Sequence, residues 1–313
     1  MKTIFEVLRK PPQHWVGDGF HVFPVFADKA FTKELSPFLM LDVGAPKLFP
    51  PTHKKLGVGQ HPHRGFETVT IAFQGEIEHS DNMGNKGLIG PGDVQWMTAA
   101  RGIVHEEHHS RQFSEQGGTL EMCQLWVNLP AANKMGKARY QPIMAAEIPT
   151  VDLISVGVDM DVAADGLATA TATATAATTG ESASPRSTVR VIAGSYNGAT
   201  GAATTHTPIN LWDVNINDKR ATYQLDTPDG HNTLVFVRRG AIEIAGEKLG
   251  LADVAILSKT GTAIHVRATE KNTKLLVLSG QPIDEPIAAR GPFVMNTQAE
   301  LQQAMRDFQS GKF

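Results

Sequence analysis

TVTIAFQGEIEHSDNMGNKGLIGPGDVQWMTAARGIVH (residues 68–105) can be laid beside NTLVFVRRGAIEIAGEKLGLADVAILSKTGTAIHV (residues 232–266). Both read as a strand, a Gly turn, a second strand, a short turn, an Asp-led strand and a final strand. Val, Ile, Thr and Phe fill the runs, as a pleated, half-buried surface prefers. Gly and Asn, which tolerate φ > 0, punctuate them. The order repeats although few identities do, which points to an internal duplication of an antiparallel unit.

Working outward, FHVFPVFA (20–27), FLMLDV (38–43), LEMCQLWVNL (120–129) and DLISVGVD (152–159) add strands to the first set. TVRVIAGSY (188–196), INLWDVNI (209–216) and TKLLVLSG (273–280) add strands to the second. Two successive sets of short strands predict an all-β chain of two antiparallel barrels or sandwiches. The boundary falls near residue 145, giving a first domain over 1–145 and a second over 146–313. Two segments depart from the pattern. The Ala/Thr alternation ADGLATATATATAATTGESASPRS (164–187) offers little apolar area to bury and reads as a loop inserted in the second half. NTQAELQQAMRDFQSGKF reads as a terminal helix over 297–309. Thr297 and Glu300 have capping-box spacing, and Leu301, Met305 and Phe308 form a stripe.

The chain has 313 residues, 41% hydrophobic and 19% charged, which is a globular composition. A net charge of -3 with no basic block gives no electrostatic case for nucleic acid. The single cysteine, Cys123, excludes an internal disulfide and fits a reducing compartment. MKTIFEVLRKPPQHW scatters charges through its first apolar positions and reads as mature chain, and no run of 18 apolar residues offers a membrane span. A cytoplasmic monomer without a membrane or nucleic-acid partner is expected.

Seven of the 12 histidines lie between residues 53 and 109, in GVGQHPHRG (57–65) and GIVHEEHH (102–109) among others. On a strand, residues i and i+2 face the same way, so His61 pairs with His63 and His105 with Glu107. An isolated HxH is weak and could be a polar edge strand. Two such pairs about 40 residues apart, meeting across a barrel interior, give three imidazoles and one carboxylate. That set suits Fe(II) and could hold Mn, Co, Ni, Cu or Zn with positions left open. A carboxylate in place of a thiolate argues against a closed structural zinc site. Parity leaves the carboxylate open between Glu107 and Glu67, which would face inward on a continuous strand. His108 should face away, and His109 lies further toward the strand end. Pro62 stiffens φ between the two histidines, and Arg64 is a candidate to support them or touch substrate. The second half, with TPDGHN (227–232) where the first has HPHRG, keeps only His231. His265 reads as a structural histidine, so the second barrel is expected to be metal-free.

HPHRGFETVT, PGDVQWMTAARGIVHEE, CQLWVNL and GPFVMNTQAEL resemble the pirin family of bicupins, over nearly the whole chain apart from 160–187. The resemblance implies two stacked jelly-roll barrels with one mononuclear metal, usually iron, in the first. It maps the ligands onto His61, His63, His105 and Glu107, and it excludes Glu67. It also implies a function. Some pirin-like proteins are similar to quercetin 2,3-dioxygenases, which open a flavonol ring with O2 and release CO. In that chemistry Glu107 would be the catalytic base as well as a ligand. The alternative is a metal- or redox-dependent regulator that binds a transcription factor or a metabolic enzyme. A storage-type cupin without turnover fits the full ligand set least well.

Overall fold

The computed structural model describes residues 1–26, 28–158, 186–219 and 221–313. Of the Ala/Thr insertion expected at 164–187, only Arg186 and Ser187 are among them; the rest lies outside the described residues. The fold is an all-β bicupin with one long helix at the C-terminal end. Each half is two sheets face to face, which makes each barrel a jelly-roll sandwich.

In the first half a seven-stranded sheet carries Phe66–Gln74, Gly118–Asn128 and Phe38–Phe49 at its centre. Its partner is a four-stranded sheet in the order Gly57–His63, Ile103–His109, Ile77–Asp81, Lys86–Ile89. Alternation of side chains along each strand decides what each face does. Val69, Ile71, Leu125 and Val127 point out of the first barrel and pack with Leu211, Leu234, Phe236 and Leu278 of the second. The two large sheets therefore share one core, and burying each such side chain stabilises by about 1.5–3 kcal/mol. Residues on the opposite face, Ala72, Leu120 and Met122, join Ile77, Ile89 and Phe113 as an apolar floor inside the first barrel.

The second barrel is filled. Trp212, Val214, Tyr223, Leu225, Val235 and Val266 form its interior. Its strands repeat the register of the first. His61 stands opposite His105 and His63 opposite Ile103, while Tyr223 stands opposite Val266 and Leu225 opposite Ile264. Apolar packing occupies the ladder positions that hold imidazoles in the first barrel. His265 is exposed, with its Nε2 3.2 Å from Gln224 Oε1.

The ends of the chain cross over. Ile4–Leu8 pairs antiparallel with Val254–Leu257, so the first strand of the chain extends the second barrel's large sheet. Conversely, the C-terminal segment returns to the first barrel. Arg64 N donates to Pro292 O (3.3 Å) and Val294 N donates to Arg64 O (3.0 Å). The Arg64 guanidinium is buried, pairs with Asp307 at 2.8 Å and lies over the Phe313 ring at 4.2 Å. Arg64 thus fastens the terminal helix instead of supporting the histidines. A Cβ on Gly65, at φ +89°, would lie 1.9 Å from Val294 O, so only glycine lets the returning segment approach. Lys134 is buried beneath the same crossing and donates to Gly65 O (2.7 Å), Asn128 Oδ1 (2.6 Å) and Val294 O (2.9 Å). Burial pulls its pKa down to about 7.

The helix spans Gln298–Gln309 with the expected capping box: Glu300 N donates to Thr297 Oγ1 (3.2 Å) and Thr297 N to Glu300 Oε2 (2.9 Å). It buries Leu301 and Ala304 against Phe293 and Met295. Phe308 stays exposed.

Candidate metal centre

His61 and His63 end the strand Gly57–His63, and His105 lies on the adjacent strand Ile103–His109. The two strands are hydrogen-bonded neighbours, not opposite walls as expected, and cross-strand pairing alone brings the rings together. One nitrogen from each of the three rings lies within 4.8 Å of the others. His63 and His105 are 2% and 1% exposed, and all four of their ring nitrogens lack a hydrogen-bond partner. A buried polar atom left unpaired costs about 1–3 kcal/mol, so four together mark a position built for something else. Burial, reinforced by the neighbouring imidazoles, holds His63 well below its ordinary pKa. Burial also lowers His105 to about 3 against the opposing pull of Glu107. Both rings are therefore neutral, the form that donates a lone pair. His61 Nδ1 lies 2.8 Å from Gly59 O. Donation to that carbonyl leaves Nε2 as the free nitrogen, the arrangement usual for a metal-bound histidine. These donors fit a mononuclear divalent metal.

Glu107 is buried one step further in. A β-bulge in the pairing with Gly57–His63 shifts the register between His105 and Glu107, so that Glu107 faces Val58 there, while in regular register it faces His79 on its other side. Its carboxylate lies outside the three-imidazole group. Gln124 Nε2 donates to both of its oxygens at 2.8 and 2.9 Å, and His79 Nε2 lies 3.1 Å from Oε1. Trp126 Nε1 in turn donates to Gln124 Oε1 at 3.3 Å, which fixes which way the amide points. Burial pushes the Glu107 pKa up, but the His79 bond and the surrounding imidazoles outweigh it and hold the group below the usual carboxylate range. Glu107 is a buried anion within electrostatic reach of the three histidines.

Glu67 is elsewhere. The chain turns at Arg64–Gly65, so Gly57–His63 and Phe66–Gln74 belong to different sheets and the parity of one does not carry into the other. Glu67 shares its face with Val69 and Ile71, accepts from Thr98 Oγ1 at 2.6 Å, and has its pKa raised by burial. His108 turns to Glu106, with Nε2 3.3 Å from Oε2. His109 packs among Phe20, Phe49 and Phe113 and binds Gly19 O at 2.8 Å. The supporting residues His79 and Gln124 were not singled out from sequence. Their signals are a polar residue at the inward parity of Ile77 in EIEHS and a lone amide in the apolar run MCQLWV.

Two family models match the chain: Pirin over residues 19–127 and the Pirin C-terminal cupin domain over residues 211–313. The chain belongs to the pirin family. A relative in Pseudomonas aeruginosa, provisionally named a quercetin 2,3-dioxygenase, is 45% identical over the whole of this chain and 99% of its own. The crystal structure of a quercetin 2,3-dioxygenase from Acinetobacter baumannii is 46% identical and superposes with a TM-score of 0.87, covering 100% of this chain and 98% of that one. Escherichia coli YhhW, a bacterial pirin solved with nickel(II), is 17% identical with a TM-score of 0.58, over 89% of this chain and 99% of its own, and shares the fold. The pirin barrel that carries the three histidines is the one matched by the first of these models. None of the chain's described helices is long and apolar enough to cross a membrane.

Proposed function

We propose that the chain is a metal-dependent dioxygenase of the quercetin 2,3-dioxygenase type, acting with O2 on a flavonol or a similar chelating enol. His61, His63, His105 and Glu107 would hold the metal, with iron(II) first among the divalent ions that this donor set accepts. The observation that carries the reading is the pair of buried, neutral, unpartnered imidazoles beside a carboxylate kept ionised. Such a metal supplies Lewis acidity that lowers the pKa of a chelating 3-hydroxyl and a site at which O2 and substrate can meet.

The protein groups divide the rest of the work. Glu107 is the base that takes the 3-hydroxyl proton, and Gln124 and His79 hold its carboxylate toward the histidines. His61 is the partly exposed member of the three, beside Gly59, around which there is open space. A cavity lined by His79, Gln95 and Tyr140 measures about 140 Å³, below the roughly 300 Å³ at which ligand pockets begin. The partly exposed His61 edge is the approach assigned to substrate in this reading. The likeness to proteins named as quercetin 2,3-dioxygenases supports this choice of substrate class.

The test is turnover of quercetin by iron(II)-loaded protein in air, followed as loss of its near-visible absorbance and release of CO. Turnover that disappears in His63→Ala is expected. Quercetin that binds to the loaded protein and is never consumed would overturn the oxygenase and favour a regulatory pirin, whose metal is read by a protein partner.

A further inference from the structure

A cleft of about 710 Å³ opens at the end of the second barrel, and every residue lining it lies between Gly194 and Thr262. It belongs to the same turn that carries the histidine motif in the first barrel. Arg64–Gly65 joins Gly57–His63 to Phe66–Gln74, and residues 227–231 join Ala221–Asp226 to Asn232–Arg239. In the first barrel that turn is covered by Pro292–Val294 and by Lys134. In the second it forms a wall of the open cleft. The wall is braced from behind: Lys2, itself buried, donates to the carbonyls of His231 (3.3 Å), Ser258 (3.1 Å) and Lys259 (2.8 Å).

One buried polar group of the cleft is left without a partner by the fold. Thr227 is 3% exposed and its hydroxyl has no partner. His231 is anchored through Nδ1, 3.3 Å from Ser279 Oγ, and burial lowers its pKa, so it is a neutral ring there. Asp226 is exposed at the rim, with Oδ1 engaged by Gln224 at 2.7 Å. Asn210, whose Oδ1 accepts from Ser195 N at 3.1 Å, and Thr262 add an amide and a hydroxyl, and among the described residues no lysine or arginine lines the cleft. Apolar surface from Pro208, Ile209 and Pro228 alternates with these groups. An anion would meet Asp226 with no cation to balance it. A purely apolar ligand would leave the Thr227 hydroxyl unpaired. A molecule with hydroxyls along its edges and CH faces between them satisfies both kinds of surface, and the volume falls within the range of small-molecule sites.

We propose that this cleft binds a neutral, hydroxyl-rich small molecule of the saccharide class, at a site separate from the three histidines. The inference does not depend on the oxygenase reading. Metal-loaded full-length protein is titrated with sucrose, glucose and glucuronate by saturation-transfer NMR, with thermal denaturation alongside. Saturable binding of a neutral sugar is expected, weakened at least tenfold in Asp226→Ala and in Thr227→Val, and unchanged in His63→Ala. A thermal denaturation midpoint equal to wild type shows that each cleft variant is folded. No saturable binding of either neutral sugar, binding that survives both cleft variants, or tighter binding of glucuronate than of glucose would each overturn the proposal.

Discussion

His105 stands directly opposite His61 on the neighbouring antiparallel strand, with ring centroids 4.3 Å apart. The same ladder position in the second barrel pairs Tyr223 with Val266 inside a packed apolar core. One backbone plan thus yields two outcomes. Where the inward pair is imidazole the barrel buries polar side chains, and where it is Tyr and Val it packs apolar ones. Trp126 packs edge-on against His63, with ring centroids 5.2 Å apart.

The two buried glutamates give the first prediction. Glu107→Gln removes the anion that faces the histidines, and metal bound per chain should fall steeply when measured by elemental analysis after dialysis. Glu67→Gln alters a group bonded to Thr98 on the other face of its strand, and metal content should stay at the wild-type value. The reverse order would show that the carboxylate was assigned to the wrong residue.

Gln124 positions Glu107 by donating to both of its carboxylate oxygens. Gln124→Leu leaves the carboxylate with His79 and a long contact to Thr70 at 3.5 Å. Losing such an outer partner weakens metal binding by about 10–100-fold. Competition with a chromophoric chelator measures this, and an unchanged affinity would mean that Gln124 serves packing alone.

Asp42 lies opposite Gln124 in the sheet, and burial raises its pKa to about 7. The folded protein therefore binds this proton where the unfolded chain has already released it. Stability contributed by the protonated form is present below about pH 4 and is lost as pH rises toward 7. Asp42→Asn cannot ionise. It should be more stable than wild type by roughly 2–4 kcal/mol at pH 8, at about 1.4 kcal/mol per pKa unit. The difference should shrink toward zero at pH 4 in urea denaturation. A constant difference across that range would assign the effect to something other than ionisation.

Short-range patterns carried much of the fold into the sequence. Period-two alternation singled out His61, His63 and His105, which cross-strand pairing brings together, and capping chemistry located the terminal helix at Thr297. Contacts across long sequence separations were not legible. Glu67 seemed to share a face with His63 because parity assumes a continuous strand, and Gly65, at φ +89°, breaks that strand. Arg64 looked like part of the site because of its neighbours, but its partner Asp307 is 243 residues away. Ile4–Leu8 has charged residues on both flanks and pairs with a strand some 250 residues later. His79 meets Glu107 across a regular strand pair and Gln124 reaches it from the other sheet, and no spacing within one segment anticipates either meeting.

The most direct test of a metal centre at the three histidines is anomalous diffraction at the iron edge from crystals of iron(II)-loaded protein. The predicted result is one strong peak per chain within bonding distance of ring nitrogens of His61, His63 and His105, with the Glu107 carboxylate completing the set. A peak at Glu67 or in the second barrel, with the three imidazoles left free of metal, would contradict it.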